Sequence, residues 1–242
     1  MTEEISHFAL RIVVPDPSAA GAVVQVRPMV DGVDVVAVDC PEERAAGPDE
    51  LLRPDGPLMA AAEPHEVRLA EAECTEQCCG ALYVTIRRDG EHVVWSGWDS
   101  PAIRENSLPE FRFDAQQYQS ELDRAWSDRS WEWSAATVAR LLEQDLHRQV
   151  QWLERWEGRS PSVRAYPWER DRITLYFRHP RRWERGCPWL QFRLVLRVFE
   201  AEPAAQTERI AGLLLASDPR EIGEVCGGSQ EWAAQLGYRW PS

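Results

Sequence analysis

Two Asp-Gly dipeptides, Asp31-Gly32 and Asp89-Gly90, each stand between runs rich in β-branched residues, and they constrain the fold more than any other feature. Asp-Gly tolerates positive φ at both central positions of a two-residue turn, whose twist matches that of paired strands. AVVQVRPMV before the first and VDVVAV after it therefore read as a hairpin, as do ALYVTIRR and EHVVWSGW around the second. HFALRIVV (residues 7–14) and HEVRLAEAE (65–73) add a strand upstream of each. Val84 and Ile86 alternate with Thr85 and Arg87, the period-2 pattern of a half-buried strand.

The two sets echo each other. From His7 to Asp31 is 24 residues, and from His65 to Asp89 is also 24. The echo is that of a duplicated three-stranded meander, two sheets covering each other as a sandwich, or of common strand and turn residues recurring by chance. Residues 39–64 between the sets are rich in Pro, Gly and acids, with a short helical segment expected at Asp49–Leu52.

After Phe113 the pattern becomes helical. Asp114 is placed to cap a helix, with Gln117 completing a capping box, and Tyr118, Leu122, Ala125 and Trp126 form one apolar face. Ser134 is placed to cap a longer helix with Val138, Leu142, Leu146, Val150 and Leu153 on its buried side, and Gly158 stops it. Two strands, 171–179 and 189–199, flank an arginine-rich connection. Helices then fill the C-terminus, with a cap at Asp218-Pro219 and a stop at Gly227-Gly228 before Ser229 starts the last one. The fold class expected is α+β: an antiparallel β portion over 1–113, then helices, a β-hairpin and a helical C-terminus over 114–242. One continuous domain has the same content.

Charge bears on partners. The chain has 40 acidic residues against 27 basic ones, a net −13, and every basic residue is arginine. Residues 1–113 hold 21 acids and 9 arginines, and 39–76 alone hold 11 and 3. Such a field repels nucleic acid and anionic membranes and draws in basic proteins; acidic surfaces also serve solubility. The apolar runs fall short of the roughly 20 residues of a bilayer span. Glu3 and Glu4 stand where an export signal carries positive charge, so none is expected and a cytoplasmic, reducing compartment follows.

The segment Glu73-Cys-Thr-Glu-Gln-Cys-Cys-Gly80 is the most chemical in character. Cys74, Cys78 and Cys79 are soft donors suited to structural zinc, with His65 the fourth candidate ligand and Cys40 or His92 as substitutes. The spacing lacks paired Cys-x-x-Cys knuckles, and Glu71, Glu73 and Glu76 raise thiol pKa values. Free thiols therefore stand beside zinc and redox chemistry as readings. From Cys78-Cys79-Gly80 through Leu82-Tyr83-Val84 and Arg87-Arg88-Asp89-Gly90 to Trp95-Ser-Gly-Trp98, the chain resembles hypothetical proteins of high-GC bacteria. That resemblance covers residues 74–98, implies a bacterial cytoplasmic protein and brings no functional residue with it.

Three other groups invite a binding role. Trp126, Trp131, Trp133, Trp152 and Trp156, interleaved with arginines, pack a core, form an aromatic surface for a protein partner, or stack on bases or sugars, the last disfavoured by the lack of a basic background. Arg178, Arg181, Arg182 and Arg185 with His179 make a positive loop, either solvated or open to a phosphate or an acidic partner. Cys226-Gly-Gly-Ser229 offers backbone N–H groups to an anion or serves as a stop between helices. The Gly-x-Ser-x-Gly elbow, the phosphate loop, His-Glu-x-x-His and the dinucleotide fingerprint are all missing from the sequence. The expectation is a non-enzymatic protein that binds, inhibits or confers immunity against a basic protein partner. An enzyme of unrecognised type and a small structural-zinc regulatory protein are the alternatives.

Overall fold

The computed structural model describes residues 4–19, 22–39, 44–52, 56–71, 80–100, 108–149, 151–199 and 201–241. The class is α+β: the described residues form twelve strands in three sheets, and eight helices. Two compact units divide the chain. Met1–Asp16 with Gly21–Trp131 is the first, and Pro17–Ala20 with Glu132–Ser242 is the second.

In the first unit, β1 (Phe8–Val13), β2 (Gln25–Val30) and β3 (Val33–Asp34) form one antiparallel sheet. Val30 faces Val33, so Asp31 (φ 51°) and Gly32 (φ 82°) are the two turn residues that their identities demand. The third strand is cut short. VDVVAV reads as a strand, yet Val35–Asp39 is a helix, α1. The Asp34 carboxylate accepts hydrogen bonds from the N–H groups of Val36 (3.1 Å) and Ala37 (3.0 Å), and this cap wins over β-branched propensity.

The second sheet contains β4 (Arg44–Ala45), β5 (His65–Glu71), β6 (Ala81–Asp89), β7 (His92–Asp99) and β8 (Phe111–Asp114) in that order. Helix α2 (Pro48–Leu51) lies in the 39–64 connection, where a short helix is expected. Asp89 faces His92, so this turn is Gly90-Glu91, with Gly90 at φ 61°. The two hairpins therefore turn one residue apart relative to their Asp-Gly pairs, and the second meander sits inside a five-stranded sheet. The edges meet. Ser6 N–H donates to the Arg112 carbonyl (2.7 Å) and Val26 N–H to the Ala46 carbonyl (2.9 Å). Ser6, two residues before β1, thus bonds to β8, and β2 bonds to the residue after β4.

Helix α3 (Ala115–Ser127) completes this core. Asp114 caps it by accepting from Gln117 N–H at 2.8 Å, as its position predicts. The Gln117 side chain does not close a capping box; it goes to β1 instead. Tyr118 stacks on Phe8 with ring centroids 4.4 Å apart, and Trp95 and Phe113 close round them. All four rings are buried, and Tyr118 O–H donates to the Leu58 carbonyl (2.8 Å). The change in composition after Phe113 thus falls one helix before the boundary between the units, because α3 belongs to the first core.

The second unit begins with α4 (Ser134–Arg148) and α5 (Gln151–Glu154), where one continuous helix to Gly158 is expected; Ser134 is the first helical residue rather than the cap, a place taken by Trp133 without a side-chain hydrogen bond. Its sheet has the order β12-β11-β10-β9: Glu224–Gly228, Leu190–Arg197, Arg172–His179 and Arg159–Arg164. Ile173, Leu175 and Phe177 alternate inward with Leu190, Phe192 and Leu194, and Phe177 stacks on its register partner Phe192 at 5.1 Å. Val138, Leu142 and Leu146 of α4 and Ile210, Ala211 and Leu214 of α6 (Pro203–Ala216) join them in one core. Helices α7 (Pro219–Ile222) and α8 (Gln230–Gln235) complete the unit, with β12 between them. Gly227-Gly228 is therefore strand rather than a stop between two helices. Gly228 has φ 109°, and a Cβ there would stand 2.0 Å from the Trp189 carbonyl oxygen.

Candidate functional site

The division into units sharpens the charge asymmetry. The first unit carries 25 acidic residues against 11 arginines, a net −14, and the second carries 15 against 16, a net +1. Ion pairs occupy most arginines of the first unit. Arg11 (3.1 Å) and Arg27 (3.8 Å) share Asp34, Arg44 (2.7 Å) and Arg68 (3.1 Å) share Glu71, and Arg87 (3.0 Å) and Arg112 (3.1 Å) share Asp89. Arg124 holds Glu121 at 2.7 Å. Hydrogen bonds from Arg87 hold the Asp89 carboxyl below its ordinary value. Glu63, Glu66, Glu91 and Asp99 are exposed and have no ion pair among the described residues. The excess negative charge of this unit is thus met by solvent rather than by its own arginines.

Of the four candidate zinc ligands, Cys74, Cys78 and Cys79 lie outside the described residues, as does Cys40. His65 is the first residue of β5, half-buried, with Nε2 2.7 Å from the Pro57 carbonyl oxygen. Glu71, where the chain leaves β5 towards the cysteines, lies six residue steps further on, roughly 20 Å at strand spacing. Among the described residues, no group of three or more His, Cys, Asp and Glu side chains is arranged to hold a metal ion. Cys187 is exposed, and Cys226 on β12 is half-buried with its thiol pushed up by burial; both are free.

The tryptophans separate into roles. Trp152 is buried in the second core and Trp133 packs against it, whereas Trp126 is 38% exposed with the Arg129 guanidinium 5.0 Å from its ring. Trp126 and Trp131 belong to the first unit and the other three to the second. The Nε1 atoms of Trp133, Trp152 and Trp156 are buried without a hydrogen-bond partner.

The arginine-rich connection joins β10 to β11. Arg181 pairs with Glu154, while Arg182 and Arg185 have no ion pair among the described residues. His179 is buried, its Nδ1 3.0 Å from the Glu157 carbonyl oxygen and its ring stacked on Trp232 at 5.4 Å. It is a core-edge group, not part of the positive loop. Arg159 on β9 is the residue that sequence reasoning misses here: it stands opposite Arg178, and only the register of β9 on β10 reveals it.

Cys226-Gly-Gly-Ser229 is not a free N-terminal cradle, since Gly227 and Gly228 pair with Gln191 and Leu190 of β11, Cys226 sits at the register shift beside them, and Ser229 Oγ caps α8 by accepting from Trp232 N–H (3.3 Å). No helix among the described residues is long and apolar enough to cross a membrane. The sequence matches no protein-family model, and comparison with curated proteins and with solved structures gives no match.

Proposed function

We propose that this chain is a non-catalytic cytoplasmic binding protein whose acidic first unit masks a basic protein partner, in the manner of an inhibitor or an immunity protein. The observation that carries the reading is the charge partition: −14 on the first unit, its arginines mostly held in ion pairs, against +1 on the second. A field of one sign speeds the approach of an oppositely charged protein and orients it before contact. Blocking is then steric and needs no chemistry from the masking protein.

The test is a pull-down from the native host at low and at high salt. A basic protein retained at low salt and released at high salt supports the reading, because exposed charge pairs are screened beyond roughly 10 Å at about 0.1 M salt. Failure to recover any salt-sensitive protein partner counts against it.

A further inference from the structure

We propose that Arg159 and Arg178 form a binding site for a phosphate group on the face of the second unit's sheet turned away from its helices. The two residues are made to face each other by a bulge. Tyr176 of β10 pairs with Ser162 of β9, and Arg178 then pairs with Arg159, so two residues on β10 oppose three on β9. In an unbroken ladder Arg178 would face Ser160. Ser160 instead has φ 52°, a left-handed conformation that costs a non-glycine residue about 1 kcal/mol. The local backbone is strained, and the result is a like-charge pair directly across two strands, itself unfavourable.

Neither guanidinium has a carboxylate within ion-pairing distance among the described residues. This contrasts with Arg181, a few residues away, which pairs with Glu154, and with the shared carboxylates of the first unit. Both arginines are nevertheless held in place. Arg159 Nε donates to the Pro180 carbonyl (3.0 Å) and its guanidinium lies 5.6 Å from the Trp183 ring centre; that of Arg178 lies 5.3 Å from the Trp189 ring centre. Stacking uses the flat face of a guanidinium and leaves its edge donors for an anion. Burial and the neighbouring Arg178 charge also lower the Arg159 pKa, the direction expected where a counter-charge is lacking.

The chemistry favours phosphate over carboxylate. A carboxylate is planar and carries one charge, so it can bridge two guanidinium groups but leaves the pair with a net positive charge. A phosphate monoester carries about −1.5 to −2 charges and three acceptor oxygens, enough for two. Free phosphate and the phosphate of a nucleotide share this chemistry.

The experiment is calorimetric titration of the full chain with inorganic phosphate, with a nucleoside monophosphate and with a polyglutamate peptide. Wild type should bind phosphate saturably with a millimolar or lower Kd, and R159Q and R178Q should each weaken binding about tenfold. R181Q, which removes an arginine already paired, should leave it unchanged. Circular dichroism confirms that each variant is folded. Tighter binding of the nucleotide assigns the phosphate to a nucleotide, and equal binding assigns it to the free ion; both support the site. No saturable binding up to about 10 mM, or equal binding by both arginine variants and wild type, overturns it. So does arginine-dependent binding of polyglutamate without binding of phosphate, which would make the pair a contact for an acidic protein.

Discussion

Gln117 engages both backbone polar groups of Phe8: its side-chain amide donates to the Phe8 carbonyl at 2.6 Å, and its carbonyl oxygen accepts from Phe8 N–H at 3.3 Å. One turn on, Glu121 accepts from Leu10 N–H (2.6 Å), and Arg124 donates to the Leu10 carbonyl (2.8 Å). The chain leaves β8 at Asp114 and turns into α3, and side chains of that helix continue the ladder that Ser6 begins with Arg112. An exposed strand edge is a template for aggregation, and here a helix covers it.

Q117A should therefore destabilise the first unit by about 1–3 kcal/mol, the cost of leaving part-buried backbone groups unsatisfied. Q117E, which can still accept from Phe8 N–H but cannot donate, should fall between. Equilibrium denaturation measures both, and a loss below about 0.5 kcal/mol for Q117A would show that water replaces the amide at no cost.

Gly228 is predicted to be irreplaceable. In G228A the new Cβ meets the Trp189 carbonyl while the backbone holds a φ that alanine resists, so β12 must shift or detach. The expected loss is on the order of 3 kcal/mol. G212A makes the control, because nothing lies near a Cβ at Gly212 and helix propensity favours alanine. Thermal unfolding should separate the two in opposite directions.

His179 makes stability depend on pH. Burial lowers its pKa, helped by the Arg220 charge and opposed by the Glu157 carbonyl and Asp218. The unfolded chain takes up the proton first, near its ordinary value of about 6.5, so this contribution is fully present above that pH and is lost as pH falls through it. The carboxylates held low, Asp31, Asp89 and Asp128 among them, withdraw their contributions only in the acid range below about 4. Denaturation midpoints should drop between about pH 7.5 and about pH 5.5 in wild type and stay level in H179N. A drop of equal size in H179N would assign the dependence elsewhere.

Elements with one dominant local signal were legible in the sequence. The turn at Asp31-Gly32, the Asp114 cap and the alternating core residues of β10 and β11 stand as their residue types demand. The rest depended on competition between signals. Val35 and Val36 favour a strand, but the Asp34 carboxylate caps a helix. Pro161 and the polar residues around it conceal β9, which tolerates proline because it is an edge strand. Gly227-Gly228 reads as a helix stop until the backbone of Trp189 explains why glycine is required. The candidate site was half visible: Arg178 stands in an arginine-rich run, but its partner Arg159 lies 19 residues upstream and faces it only through a bulge.

The charge partition is tested most directly by removing four exposed acids that no arginine of the first unit holds. In a variant carrying E63Q, E66Q, E91Q and D99N, the protein partner recovered from the host at low salt should fall several-fold, and its remaining retention should depend less on salt. Recovery equal to wild type, with the same release by salt, would contradict the claim that the acidic first unit is what draws the partner in.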